Sequence, residues 1–216
     1  MTTGPAVSGF DAETRLMDFQ GLRIEYDDRV LEPRPWTAAQ SVWAADLIRV
    51  APPGPVLELC AGVGHIGLLA VTLAPRLLVA VDANPAACEL LARNAAAASI
   101  RVDVREGPMD EVLDADEQFG VIIADPPWVP SADVGRFPED PVSAIDGGED
   151  GLRLARLCLD VISRHLVVAG SALLQVGPDD QADRVTELVA EHDDLMVVSV
   201  RSFERGALVQ IDRIAA

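Results

Sequence analysis

The sequence has no lysine. Its 17 basic residues are all arginines, they form no cluster, and 35 acids outweigh them to a net charge of −18. A surface of that sign repels phosphate backbones, which argues against a nucleic-acid partner and also keeps a chain soluble. Cysteine is sparse too. Cys60, Cys88 and Cys158 are odd in number, scattered and without a C-x-x-C pair. That excludes a disulfide framework or a structural zinc site and predicts reduced, buried thiols in a cytoplasmic protein. His65, His165 and His192 fall one to a predicted helix, with no acid or nucleophile at a paired spacing. They read as ordinary helix residues, and no metal is expected. No apolar run reaches the ~20 residues that span a bilayer, and the opening residues lack the basic-then-apolar order of a signal peptide. No membrane attachment is expected.

What is present is a 216-residue chain, half of it apolar, enough to bury one sizeable α/β core. From residue 56 onward strand and helix patterns alternate. Strands are predicted at 56–60, 77–82, 100–105, 119–124 and 172–176, and helices at 65–73, 85–98, 152–168 and 180–192. Such alternation implies a parallel sheet with helices on both faces. The last two strand patterns, 195–201 and 207–213, are joined only by 202–206, too short a link for a crossover helix, so they must pair antiparallel. The prediction is a seven-stranded α/β sheet whose last strand is antiparallel. Ahead of it, residues up to about 18 read as an irregular lead or short helix, 22–31 as a hairpin centred on Asp27-Asp28, and Thr37 as the N-cap of a helix reaching Val50. Pro52-Pro53-Gly54-Pro55 stops that helix. The chain thus divides into an extension, 1–50, packed on the core as hairpin plus helix, and a main domain, 51–216.

Two strand ends carry the chemistry. Asp125-Pro126-Pro127-Trp128 follows the apolar strand 119–124, and open α/β sheets bind ligands at the carboxyl ends of their strands. The prolines stiffen the backbone and leave carbonyls free to accept hydrogen bonds. With the Asp125 carboxylate as a further acceptor and the Trp128 indole as a flat apolar face, the tetrapeptide makes a socket for a planar group bearing an NH2. The other strand end is the loop Glu58-Leu59-Cys60-Ala61-Gly62-Val63-Gly64-His65-Ile66-Gly67, which satisfies G-x-G-x-x-G, with Asp82 ending the next strand 20 residues after Gly62. Glycines admit a ligand close to the backbone and the acid can accept ribose hydroxyls. This pattern specifies a nucleoside-containing cofactor, NAD or S-adenosylmethionine. Glu58, inside the first strand, suits an ammonium and a sulfonium better than a pyrophosphate, and the socket suits a group to be modified; both favour S-adenosylmethionine. NAD-dependent oxidoreduction and a non-catalytic interaction module remain the alternatives. The polar loop 133–150, carrying Phe137, is a candidate lid over the socket.

From about residue 20 onward the chain resembles class I S-adenosylmethionine-dependent methyltransferases. More narrowly it resembles the release-factor glutamine N5-methyltransferases in a compact form. The resemblance is carried by Val30-Leu31-Glu32-Pro33-Arg34-Pro35, by Glu58 to Gly67, by Val81-Asp82-Ala83-Asn84-Pro85, by Asp125 to Trp128 in place of the family's Asn-Pro-Pro-Tyr, and by Asp140-Pro141 with Ala144-Ile145-Asp146-Gly147-Gly148-Glu149-Asp150-Gly151-Leu152. It implies a Rossmann-like methyltransferase sheet and N-methylation at Asp125, Pro126, Pro127 and Trp128. It also implies cofactor contacts from Glu58, Cys60, Ala61, Gly62, Gly64, Asp82, Ala83, Met109 and Asp125. Gly107-Pro108-Met109 stands where the family often has an acid, which leaves the adenine to Ala83 and Met109, with Asp110 as a substitute acid. Asp125 in place of Asn is closer to enzymes that methylate exocyclic amines of nucleobases. The expected acceptor is a protein glutamine amide, with a nucleobase or small-molecule amine as the alternative.

Overall fold

The computed structural model describes residues 13–215. It opens with a hairpin of β1 (Arg15–Phe19) and β2 (Leu22–Tyr26). Gln20 and Gly21 join the strands with φ of 54° and 90°, the paired positive values of a tight hairpin turn that glycine makes accessible. The hairpin therefore lies upstream of the predicted 22–31, and Asp27-Asp28 follow β2 instead of turning it. Residues 15–18, predicted as irregular or helical, are strand; residues 1–12 lie outside the described residues. Asp27 is buried and accepts from the Arg29 guanidinium (2.7 Å), so its pairing serves the loop after β2.

A single 3-10 turn, Pro35–Thr37, leads into α1 (Ala38–Val50). Alternation then runs as predicted: β3 (Val56–Leu59), α2 (His65–Leu73), β4 (Leu78–Asp82), α3 (Pro85–Ala97), β5 (Val102–Glu106) and β6 (Phe119–Ala124). A short α4 (Val142–Ile145) interrupts the long loop before α5 (Arg153–His165), β7 (Leu166–Val176), α6 (Asp179–Val189), β8 (Leu195–Phe203) and β9 (Gly206–Arg213). The main sheet has seven strands in the order β5-β4-β3-β6-β7-β9-β8. β9 runs antiparallel to both neighbours and the other pairings are parallel. β7 starts earlier than predicted because its pairing with β6 shifts register between Phe119 and Val121, around Ala169 at φ 62°. That break in pattern hid the first half of the strand.

The pleat divides the core. Val56, Val121 and Ile123 face a cluster shared with α1, α2, α3 and the hairpin residues Phe19, Ile24 and Tyr26. Leu57, Leu59 and Ile122 face a second cluster with Cys158, Leu159 and Val185 of α5 and α6. Asn94 of α3 is fully buried and stitches the hairpin to the body. Its carbonyl oxygen accepts from Glu25 N (2.7 Å), and its amide donates to Glu25 O (3.0 Å) and to Val63 O (3.0 Å). Among the described residues no helix is long and apolar enough to cross a membrane.

Candidate active site

Strand register assembles the site. In the sheet Leu59 lies opposite Val81 on β4 and Ala124 on β6. The next residues, Cys60, Asp82 and Asp125, therefore emerge side by side at the carboxyl edge. Strand order reverses here, β3 lying between β4 and β6, which is where open α/β sheets form their ligand crevice. A cleft of about 2140 Å³ opens over this edge. It is larger than the few hundred Å³ that one small ligand needs, so a cofactor and part of an acceptor fit together.

Of the residues singled out from sequence, Cys60, Ala61, Gly62, Asp82, Ala83, Met109, Asp125, Pro126, Pro127 and Trp128 all line this cleft. Gly64, at φ 81°, stands at the N-cap of α2 and packs against Leu91, whose Cγ would lie 2.6 Å from a Cβ placed there. Glu58 does not line the cleft. It is buried under the loop, its Oε1 accepting from Gly67 N (2.9 Å) and its Oε2 without a hydrogen-bond partner. Gly67 leaves the space Glu58 occupies, since a Cβ there would overlap the carboxylate. Asp110 is exposed and does not line the cleft. His65, read as an ordinary helix residue, stands on the cleft wall, its Nε2 3.1 Å from Thr37 Oγ1 and its ring edge-on to Phe19. Burial drops its pKa to about 4, so it is neutral.

The electrostatics are one-sided. Asp82 accepts from Gly62 N (2.7 Å) and Asn84 N (2.8 Å), yet burial still raises its pKa. Burial pushes Asp125 up to about 7. Burial pushes Glu58 up to about 8, with the nearby charges of Asp125 and Asp82 adding to the rise. Among the described residues no ion pair engages any of these three acids. Three desolvated carboxyls without a counter-cation fit a ligand that carries positive charge, and disfavour a pyrophosphate, which would add negative charge. Met109 is buried with its sulfur 3.7 Å from Cys158 Sγ, giving the Ala83 side of the cleft an apolar, polarisable wall. The Cys158 thiol, and then burial, hold the Cys60 thiol protonated. Among the described residues no group of three or more metal-ligating side chains is placed to hold an ion.

The loop after the socket is tied down at several points. Val129 N donates to Ile145 O and Gly147 N to Val129 O (2.9 and 2.8 Å). Ser131 Oγ donates to Asp146 Oδ1 (2.6 Å). Asp140 pairs with Arg34 (2.6 Å), from the Pro-Arg-Pro segment 106 residues upstream. Phe137 lines the cleft.

Residues 44–136 match the methyltransferase small domain family. The fold agrees: the ribosomal protein L11 methylase of Lactobacillus delbrueckii subsp. bulgaricus superposes with a TM-score of 0.65, at 15% identity, over 88% of this chain and 84% of that one. In its domain match and in its fold the chain is similar to the Rossmann-like methyltransferases. Within that class it is similar to the release factor glutamine methyltransferase of Geobacter sulfurreducens, at 35% identity over 170 residues, 74% of this chain and 57% of that protein. It is also similar to the ribosomal protein uL3 glutamine methyltransferase of Bordetella pertussis, at 32% identity, covering 73% of this chain and 56% of that protein. The chain thus spans little more than half the length of these two relatives.

Proposed function

We propose that the protein is an S-adenosylmethionine-dependent N-methyltransferase of the cytoplasm whose acceptor is the side-chain amide of a protein glutamine. The observation that carries this reading is the adjacency, in one cleft, of the Gly62–Asp82 cofactor edge and the Asp125–Trp128 socket. The similarity to glutamine methyltransferases supports the acceptor. S-adenosylmethionine supplies a methyl group on a sulfonium. The Asp82 carboxylate would accept its ribose hydroxyls, Cys60 to Gly64 would admit its methionine portion, and Ala83 and Met109 would flank its adenine. Buried Glu58 would act from beneath, by accepting the bond from Gly67 N that ties α2 to β3.

The acceptor NH2 would donate one hydrogen to the Asp125 carboxylate and one to the Pro126 carbonyl, with Trp128 stacked on its plane. An amide lone pair is delocalised, so orienting it along the line of displacement matters; alignment of this kind lowers a barrier by on the order of 7 kcal/mol at its most favourable. As the nitrogen–carbon bond forms the methyl's bond to sulfur would break, leaving a neutral thioether, and ionised Asp125 is the group at hand to receive the proton the nitrogen gives up. Charge building on that nitrogen is stabilised by the same carboxylate. Asp125 also favours a second reading, an exocyclic amine, since its charge stabilises a cationic nitrogen better than an amide could. Incubating a lysate with labelled S-adenosylmethionine and sorting the label into protein, nucleic-acid and small-molecule fractions decides between them. Label in protein, lost in Asp125→Ala, is expected; label in nucleic acid would transfer the mechanism to a nucleobase amine.

A further inference from the structure

Gln181, in the first turn of α6, is buried beside the socket, and its amide is fully used. Nε2 donates to the carbonyl of Trp128 (2.9 Å) and to that of Asp150 (3.3 Å), while Oε1 accepts from Gly177 N (2.8 Å). One side chain thus joins three segments: the last residue of the socket, the end of the loop that follows it, and the turn between β7 and α6. The space around it is closely fitted. A Cβ at Gly177 would lie 2.7 Å from both Gln181 Oε1 and Trp128 Cε3, and one at Gly151 would overlap Gln181 Nε2 and the Trp128 carbonyl. Two glycines therefore flank the amide so that it can reach Trp128, and Gly177 is the surface against which the indole lies. Neither carbonyl is part of a strand or helix ladder, so without Gln181 both would face a cleft with no fixed donor.

We propose that Gln181 is a positioning residue for the acceptor: it fixes Trp128, and with it the plane on which the acceptor group stacks, and locks that plane to the end of the covering loop at Asp150. The proposal rests on reading Asp125 to Trp128 as the acceptor socket. Gln181 bonds to none of the residues assigned to the cofactor, so its influence falls on the acceptor. A displacement of the stacking plane on the order of 1 Å lowers transfer by about ten- to a hundredfold.

The test uses the whole chain labelled with fluorotryptophan, whose three fluorine resonances report Trp36, Trp43 and Trp128, the last assigned by its loss in Trp128→Phe. In Gln181→Leu the Trp128 resonance should shift or broaden while the other two stay. Affinity for S-adenosylhomocysteine should hold within about twofold, and kcat/KM for the acceptor should fall about ten- to a hundredfold. Gly177→Ala, which keeps every hydrogen-bonding group but crowds the indole, should move the same resonance and serves if Gln181→Leu does not fold. An unmoved Trp128 resonance, or a moved one with transfer unchanged, overturns the proposal. So does an equal fall in cofactor affinity. Absence of transfer from the unaltered protein, with the resonance still moved by Gln181→Leu, overturns the proposed function and leaves the structural coupling standing.

Discussion

Replacing Asp125 by asparagine isolates the charge at the socket with almost no change of shape. In the folded protein burial raises the Asp125 pKa from 3.8 to about 7. A carboxyl raised in this way stabilises the fold fully below its unfolded pKa, and that stabilisation is lost as pH rises through the folded one. A shift of about three units corresponds to roughly 4 kcal/mol at most, and about half that for a half-buried group in a cleft that water enters. Asparagine stays neutral at every pH. Asp125→Asn should therefore match the parent in stability near about pH 4 and exceed it by about 2 kcal/mol above about pH 8. Urea unfolding followed by circular dichroism at both pH values measures the difference. Saturating S-adenosylmethionine, whose sulfonium is cationic, should lower the Asp125 pKa and narrow the gap, whereas S-adenosylhomocysteine, a neutral thioether at that sulfur, should leave more of it. A stability difference independent of pH would refute the assignment of a desolvated, titrating Asp125.

Other outcomes follow from single contacts. The pH profile of kcat/KM for methyl transfer should rise through an apparent pKa near 7, and Asp125→Asn should remove that inflection; a profile that falls with pH would contradict the need for the ionised form. Asp82→Ala, which deprives Gly62 N of its 2.7 Å acceptor and the proposed ribose of its partner, should weaken S-adenosylhomocysteine binding by about a hundredfold in calorimetry. Gly67→Ala should destabilise by about 1–3 kcal/mol because its Cβ overlaps the Glu58 carboxylate, and Glu58→Ala in the same chain should relieve most of that, as a double-mutant cycle would show. Asn94→Ala, breaking three buried hydrogen bonds, should cost about 3 kcal/mol in chemical unfolding and loosen the hairpin first.

Local chemistry explains what could be read before the structure. The Gly62-x-Gly64 loop and the acids Asp82 and Asp125 stand directly after apolar strands, so strand ends and turn residues marked them without any long-range knowledge. The antiparallel ending was fixed by the short link at 202–206. The hairpin was displaced because two adjacent acids, Asp27-Asp28, outweighed Gln20-Gly21 as a turn signal, whereas the backbone uses the pair whose glycine admits positive φ. Alternation put Glu58 in the first strand but could not say that α2 covers it. Least legible were the buried amides. Gln40 donates to Ala124 O, 84 residues away, Asn94 reaches Glu25 across 69, and Gln181 reaches Trp128 across 53. Each stands in a helix with no periodic or motif signal, and only the assembled fold supplies its partners.

The proposed reaction is the transfer of a methyl group to a glutamine side-chain nitrogen at the Asp125 socket. Its most direct measurement is fragmentation mass spectrometry of the protein fraction after incubation with isotopically labelled S-adenosylmethionine. The label is expected on a glutamine side-chain amide nitrogen and is absent when Asp125→Ala replaces the parent. Label on an oxygen or carbon acceptor, or label that persists in Asp125→Ala, would contradict it.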